Sequence, residues 1–210
     1  MTWRQRLWVG IVLLSACGEP TIPVRTKAYD FDSGGDVFHW PPNRLPVRFY
    51  AVAAGSLPFL VQRAIGVWEE QFLYDEFRGG LTDDSTRADV IVRWTGAVPP
   101  DVPPDTGLPV FACDGLTFFL VDTLGTALSG PIRIELGVRS GFTTAQVAAC
   151  TRRLAIHELG HALGLFQHSP SPADIMAPNP TVSLPSADDR RTAEVLYHTA
   201  PTLAPPPRPQ

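Results

Sequence analysis

Residues His157-Glu158-Leu159-Gly160-His161 place two imidazoles four positions apart. On a helix that spacing puts both rings on one face, one turn from each other. Two histidines so placed can grip a single zinc ion. The glutamate between them points elsewhere and is not a ligand; it is positioned to take a proton from a water that the metal activates. Gly164 follows three residues after the second histidine. Glycine adopts the left-handed conformation that ends helices, so the chain can turn back there and bring a third histidine to the same ion. Three of the five histidines in the chain fall between positions 157 and 168.

With the downstream segment Asp174-Ile175-Met176-Ala177-Pro178, this stretch resembles the metzincin zinc endopeptidases, and most of all their matrixin branch. The signature of that clan is His-Glu-x-x-His-x-x-Gly-x-x-His followed by a Met-turn. Here the tenth residue after His157 is Gln167, and the histidine comes one later, at His168. His168 is the expected third ligand. The spacing from His168 to Met176 is like that of matrixins, and metzincins such as leishmanolysin accommodate a far larger insertion at this point. An extra residue beyond a helix stop can bulge outward. Gln167 is the competing ligand, although an amide oxygen is a poor zinc donor beside imidazole. Met176 is expected in the Met-turn; ordinary core filling is its other reading.

Elements to position these groups can be read in order along the chain. Leu45 to Tyr50 alternates as a first strand. Phe59 to Phe72 has the apolar spacing of an amphipathic helix. Ala88 to Trp94 is a β-branched strand, and Leu116 to Val121 and Ile132 to Leu136 are two more. Thr143 or Thr144 can cap the active-site helix, which runs to about Leu163. Ser186 opens a last helix ending near Tyr197, with an acid three residues after the serine as in a capping box. Proline-rich stretches at 98–109 and 169–185 predict long ordered loops. The resemblance implies an α+β metzincin-like zincin fold: a twisted mixed sheet, the active-site helix, the Met-turn and a C-terminal helix.

The ends read differently. Arg4 and Arg6 precede a short apolar run from Leu7 to Leu14 and then small residues, the pattern of a secretory signal over residues 1–16. The run is too short to span a bilayer. Leu14-Ser15-Ala16-Cys17 resembles a bacterial lipobox, which makes Cys17 the lipidated first residue of an exported envelope protein facing the periplasm or the outside. A plain signal peptide with an incidental Cys17 is the alternative. Residues 17–39 read as the lipidated cysteine and a linker, 40–199 as the zinc peptidase domain, and 200–210 as a disordered proline-rich tail. With Cys17 set aside, Cys113 and Cys150 remain. In an oxidising compartment they are expected to pair; two free thiols is the other possibility.

The net charge is −4 and there is no basic cluster, so nucleic acid is not an expected partner. About 160 residues between the two ends suffice for one core, and a monomer is expected. The resemblance implies one catalytic zinc on His157, His161 and His168, Glu158 as general base, and an extended protein or peptide substrate along an edge strand, either 116–121 or 132–136. Matrixins carry a second, structural zinc on histidines. No histidine lies between Trp40 and Ile156, so that ion is not expected. Calcium remains possible, with Asp114, Asp122 or Glu135 as candidates. The rival reading is a zinc-binding surface lipoprotein that recognises a partner without cutting it.

Overall fold

The computed structural model describes residues 25–95 and 113–208. Cys17 and the signal segment, like the proline-rich stretch 98–109, lie outside them. Five strands form one mixed sheet: β1 (Val47–Ala51), β2 (Gly79–Leu81), β3 (Val90–Trp94), β4 (Cys113–Phe118) and β5 (Ile132–Val138). Their order is β2-β1-β3-β5-β4. All pairings are parallel except the last, where β4 runs antiparallel to β5 with Gly115 opposite Leu136 and Thr117 opposite Ile134. Three α-helices accompany it: α1 (Leu57–Glu69), α2 (Thr144–Ala162) and α3 (Ala187–Tyr197). This is the α+β architecture that the resemblance implies.

Burial follows the alternation. Val47 and Phe49, Val90 and Val92, and Ile132, Ile134 and Leu136 point inward from β1, β3 and β5, each at most 2% exposed. Helix α1 lies over β1, β2 and β3, and α2 lies beside it over β4 and β5. Two fully buried tryptophans fix α2 in place. The indole N–H of Trp68 donates to Ile156 O (2.8 Å), and that of Trp40 to Ala162 O (2.9 Å), one of the carbonyls a helix end leaves unpaired. Both predicted caps form. Thr143 and Gln146 make a reciprocal capping box at α2, and Ser186 with Asp189 does the same at α3.

Three differences from the sequence reading stand out. Strand β2 carries no apolar pattern. It forms because Gly79 fits where a Cβ would press against Phe49, Ile65 and Phe77, while its N–H donates to Glu69 (2.9 Å). Residues 28–39, expected to be linker, belong to the core together with Trp40. Tyr29, Phe31, Val37, Phe38 and Trp40 are all buried, so the aromatic content outweighs the surrounding acids and glycines. The tail is also ordered through residue 208. Thr202 and Leu203 donate backbone N–H groups to Val37 O, Ala204 bridges to Ala127, and Arg208 pairs with the buried carboxylate of Asp89 (2.8 Å).

The edge of the sheet bears on where a substrate could add. Strand β5 lies between β3 and β4, so 132–136 is not an edge. Among the described residues strand β4 is an edge, and it begins at Cys113, three residues before the expected 116.

Candidate metal centre

Helix α2 stops in a Schellman motif. Gly164 has φ +109°, its N–H donates to His161 O (2.9 Å), and the Leu165 N–H donates to Gly160 O (3.2 Å). The position accepts glycine alone for a second reason: a Cβ there would strike the carbonyl oxygen of Phe38. The turned chain is pinned by the Phe166 N–H donating to Phe31 O (2.9 Å), and it then delivers His168.

The three imidazoles converge. Ring centroids of His157, His161 and His168 stand 4.8, 5.0 and 5.2 Å apart, and their ligand nitrogens lie within 4.8 Å of one another. Nε2 of His161 is 3.3 Å from Nε2 of His168. The Nδ1–H of His157 donates to Ile175 O (2.7 Å), and that of His161 to Leu165 O (2.6 Å). Both bonds leave Nε2 as the lone-pair nitrogen facing the centre of the cluster, the tautomer a metal requires. Burial pushes His157 down to about 4 and His161 to about 3, and it also lowers His168, so all three are neutral donors at physiological pH. A neutral three-nitrogen set with one side open suits a zinc ion. Gln167 is exposed on the loop, and the inserted residue does not keep His168 from its companions.

Beneath the cluster lies the Met-turn. Met176 is fully buried, and its sulfur occupies the space that a Cβ on Gly160 would fill. Two carboxylates hold this turn. Asp189, in the first turn of α3, accepts the N–H groups of Ile175 (2.7 Å), Met176 (3.3 Å) and Ser186 (2.8 Å) and the hydroxyl of Tyr29 (2.7 Å). Asp174 accepts the hydroxyls of Ser169 and Ser186. The carbonyl that orients His157 is therefore itself fixed from α3.

Glu158 is 3% exposed, and burial raises its carboxyl to about 7. Its Oε2 accepts the Thr117 hydroxyl at 2.7 Å, while Gly115 leaves room for the rest of the carboxylate; a Cβ there would lie 2.6 Å from Oε1. Both residues sit on edge strand β4 and line a cleft of about 660 Å³ that also holds His157, His161 and His168. Thr117, Gly115, Gly160, Asp174 and Asp189 were not singled out as site residues. Asp189 carried a local signal as the capping acid and Asp174 as the first residue of the Met-turn segment; Gly115 and Thr117 depend on which strand adjoins α2, and Gly160 on where Met176 packs. Cys113, at the start of β4, and Cys150, in α2, form a disulfide with Cα atoms 5.9 Å apart.

The calcium candidates do not come together. Asp114 pairs with Arg139 (3.3 Å), Asp122 accepts the N–H of Thr126 (2.8 Å) in its own turn, and Glu135 pairs across the sheet with Arg93. The cluster of metal-ligating side chains among the described residues is the histidine trio.

The matrixin family model matches residues 55–198, from just before α1 to just past α3. The chain belongs to the matrixin family. Its relatives under that model are zinc metallopeptidases, and the histidine trio, the buried glutamate and the Met-turn all fall within the matched span. Among curated proteins, none matches the sequence significantly.

Two outcomes follow from this geometry. His168→Ala should weaken zinc binding about a hundredfold or more, beyond the loss typical of an outer partner, whereas Gln167→Ala should leave it within a few-fold; competition against a chelating dye measures both, and the opposite ranking would transfer the ligand role to Gln167. Thr117→Val removes a hydrogen bond to a charged group and should lower kcat of any Glu158-dependent reaction by about tenfold or more with KM little changed, while Thr117→Ser retains it; equal kcat in all three proteins would show the hydroxyl to be idle.

Proposed function

We propose that the protein is a zinc-dependent endopeptidase that cleaves extended protein or peptide substrates. The observation that carries this reading is the buried Glu158 carboxylate beside three neutral imidazoles in a cleft bordered by β4, an edge strand among the described residues. His157, His161 and His168 would hold the ion. Bound there, zinc supplies Lewis acidity, making water more acidic and drawing electron density from a peptide carbonyl.

The remaining work belongs to the chain. Glu158, with its pKa raised toward neutrality, is matched to accepting a proton from the attacking water and delivering it to the departing amine. Thr117 keeps that carboxylate in one orientation. Main-chain groups on the side of β4 that no described strand covers can dock an extended peptide as an added strand, which sets the scissile bond beside Glu158. The non-catalytic alternative drew its support from the inserted residue. His168 reaches the cluster despite it, and a pure binder would have no use for a buried, proton-accepting carboxylate.

The lipobox-like start adds that the enzyme is exported and anchored through Cys17. No helix among the described residues is long and apolar enough to cross a membrane, so attachment in this reading rests on acyl chains.

Glu158→Ala should bind zinc normally yet lose cleavage of casein or a quenched peptide by several orders of magnitude, and a chelator should abolish wild-type cleavage. Undiminished turnover in the variant would remove Glu158 from the reaction. Cys17→Ala, expressed in a bacterial host with a lipoprotein pathway, should move the protein from the membrane pellet to the soluble exported fraction and end labelling by a fatty-acid probe; persistence in the pellet would argue against the anchor.

A further inference from the structure

The cleft is electrically uneven. Near the start of β4 its lining includes two guanidinium groups, Arg139 and Arg153, and one carboxylate, Asp114. Arg153 projects from α2 one turn before His157, and its Nη1–H donates to Pro180 O (2.5 Å) beyond the Met-turn; it makes no ion pair among the described residues. Arg139, just past β5, lies 3.3 Å from Asp114, and its Nε is buried with no hydrogen-bond partner there. Leu154 and the Cys113–Cys150 bridge supply the apolar remainder of this wall. At the other end of the cleft the charge reverses: Asp36 is exposed there and likewise lacks an ion-pair partner among the described residues.

From this layout we propose that the Arg153 end of the cleft is a subsite for an acidic substrate side chain, with Arg153 as the specificity-determining residue. The proposal rests on the peptidase reading. An apolar side chain seated here would strip water from Arg153 without replacing its hydrogen bonds, whereas a carboxylate offers charge-assisted hydrogen bonds to a guanidinium fork already held in place by Pro180. Selectivity then comes as much from the penalty on neutral side chains as from attraction to acidic ones. Asp114 does not satisfy this end, because Arg139 already occupies it.

The test uses the zinc-loaded protein and quenched peptides that differ only in glutamate, glutamine, leucine or lysine at each position flanking the cut. At one position kcat/KM should favour glutamate over glutamine at least tenfold. Rising salt should shrink that ratio, a readout that needs no variant. Arg153→Gln should bring the ratio to about one, and Arg153→Glu should turn the preference toward lysine. Equal cleavage of the glutamate and glutamine peptides at every position overturns the proposal, as does a preference that survives Arg153→Gln. The same peptides titrated onto zinc-loaded Glu158→Ala, followed by fluorescence anisotropy, separate this question from catalysis. A glutamate preference in binding that disappears on adding Arg153→Gln sustains the subsite even if the wild type cuts nothing, an outcome that would sink the peptidase reading alone. Equal affinity for the two peptides, or no binding of either, rejects the subsite.

Discussion

The site depends on one backbone event, the left-handed turn at Gly164. Seven residues separate His161 from His168, and a continuous helix would set them about 10 Å apart along its axis. The stop instead brings their Nε2 atoms to 3.3 Å. The same turn exposes the Leu165 carbonyl to His161 Nδ1, so it fixes both the position of one ligand and the tautomer of another. The absent side chain at Gly164 also leaves room for the Phe38 carbonyl to pack against the turn. That carbonyl is itself set by the fully buried Phe38 and Trp40, so a segment far upstream in sequence is a structural part of the metal centre.

A second layer ties the lower half of the cleft together through Asp189. One buried carboxylate accepts four hydrogen bonds, from the Met-turn, from the cap of α3 and from Tyr29. Such a group is costly to bury unless fully paired, and here it is. Its effect is to make the Ile175 carbonyl a rigid acceptor for His157. The two ligands on α2 are therefore oriented by α3 and by their own helix stop, and the loop that carries His168 is pinned to the N-terminal segment.

Much of this was legible in the residues. The i, i+4 histidines with an intervening glutamate needed no tertiary information, because helix geometry alone puts them on one face. The pairing of Cys113 with Cys150 was the expectation from cysteine count, with free thiols as the alternative, and the capping box at Ser186 and the cap at Thr143 came from local spacing. What could not be read depended on neighbours distant in sequence. Residues 116–121 were read as a strand, yet Leu116, Phe118 and Leu120 are its outward side chains, 55%, 39% and 50% exposed. The residues that face the glutamate are Gly115 and Thr117, whose small or polar side chains gave no hint of it. The segment around Tyr29, Phe31 and Phe38 was misjudged because acids and glycines between the aromatics lowered its average. The tail was misjudged because proline content hides what Leu203 and Arg208 each bind.

The bridge between Cys113 and Cys150 carries a consequence of its own. An outermost strand is held to its sheet by a single ladder, and a peptide laid along its free side competes for the same backbone. Here that outermost strand is stitched covalently to the helix bearing two of the histidines. A docking chain can therefore pull on β4 without peeling it from the floor of the cleft. The protein would also acquire its finished working surface only after reaching surroundings oxidising enough to close the stitch.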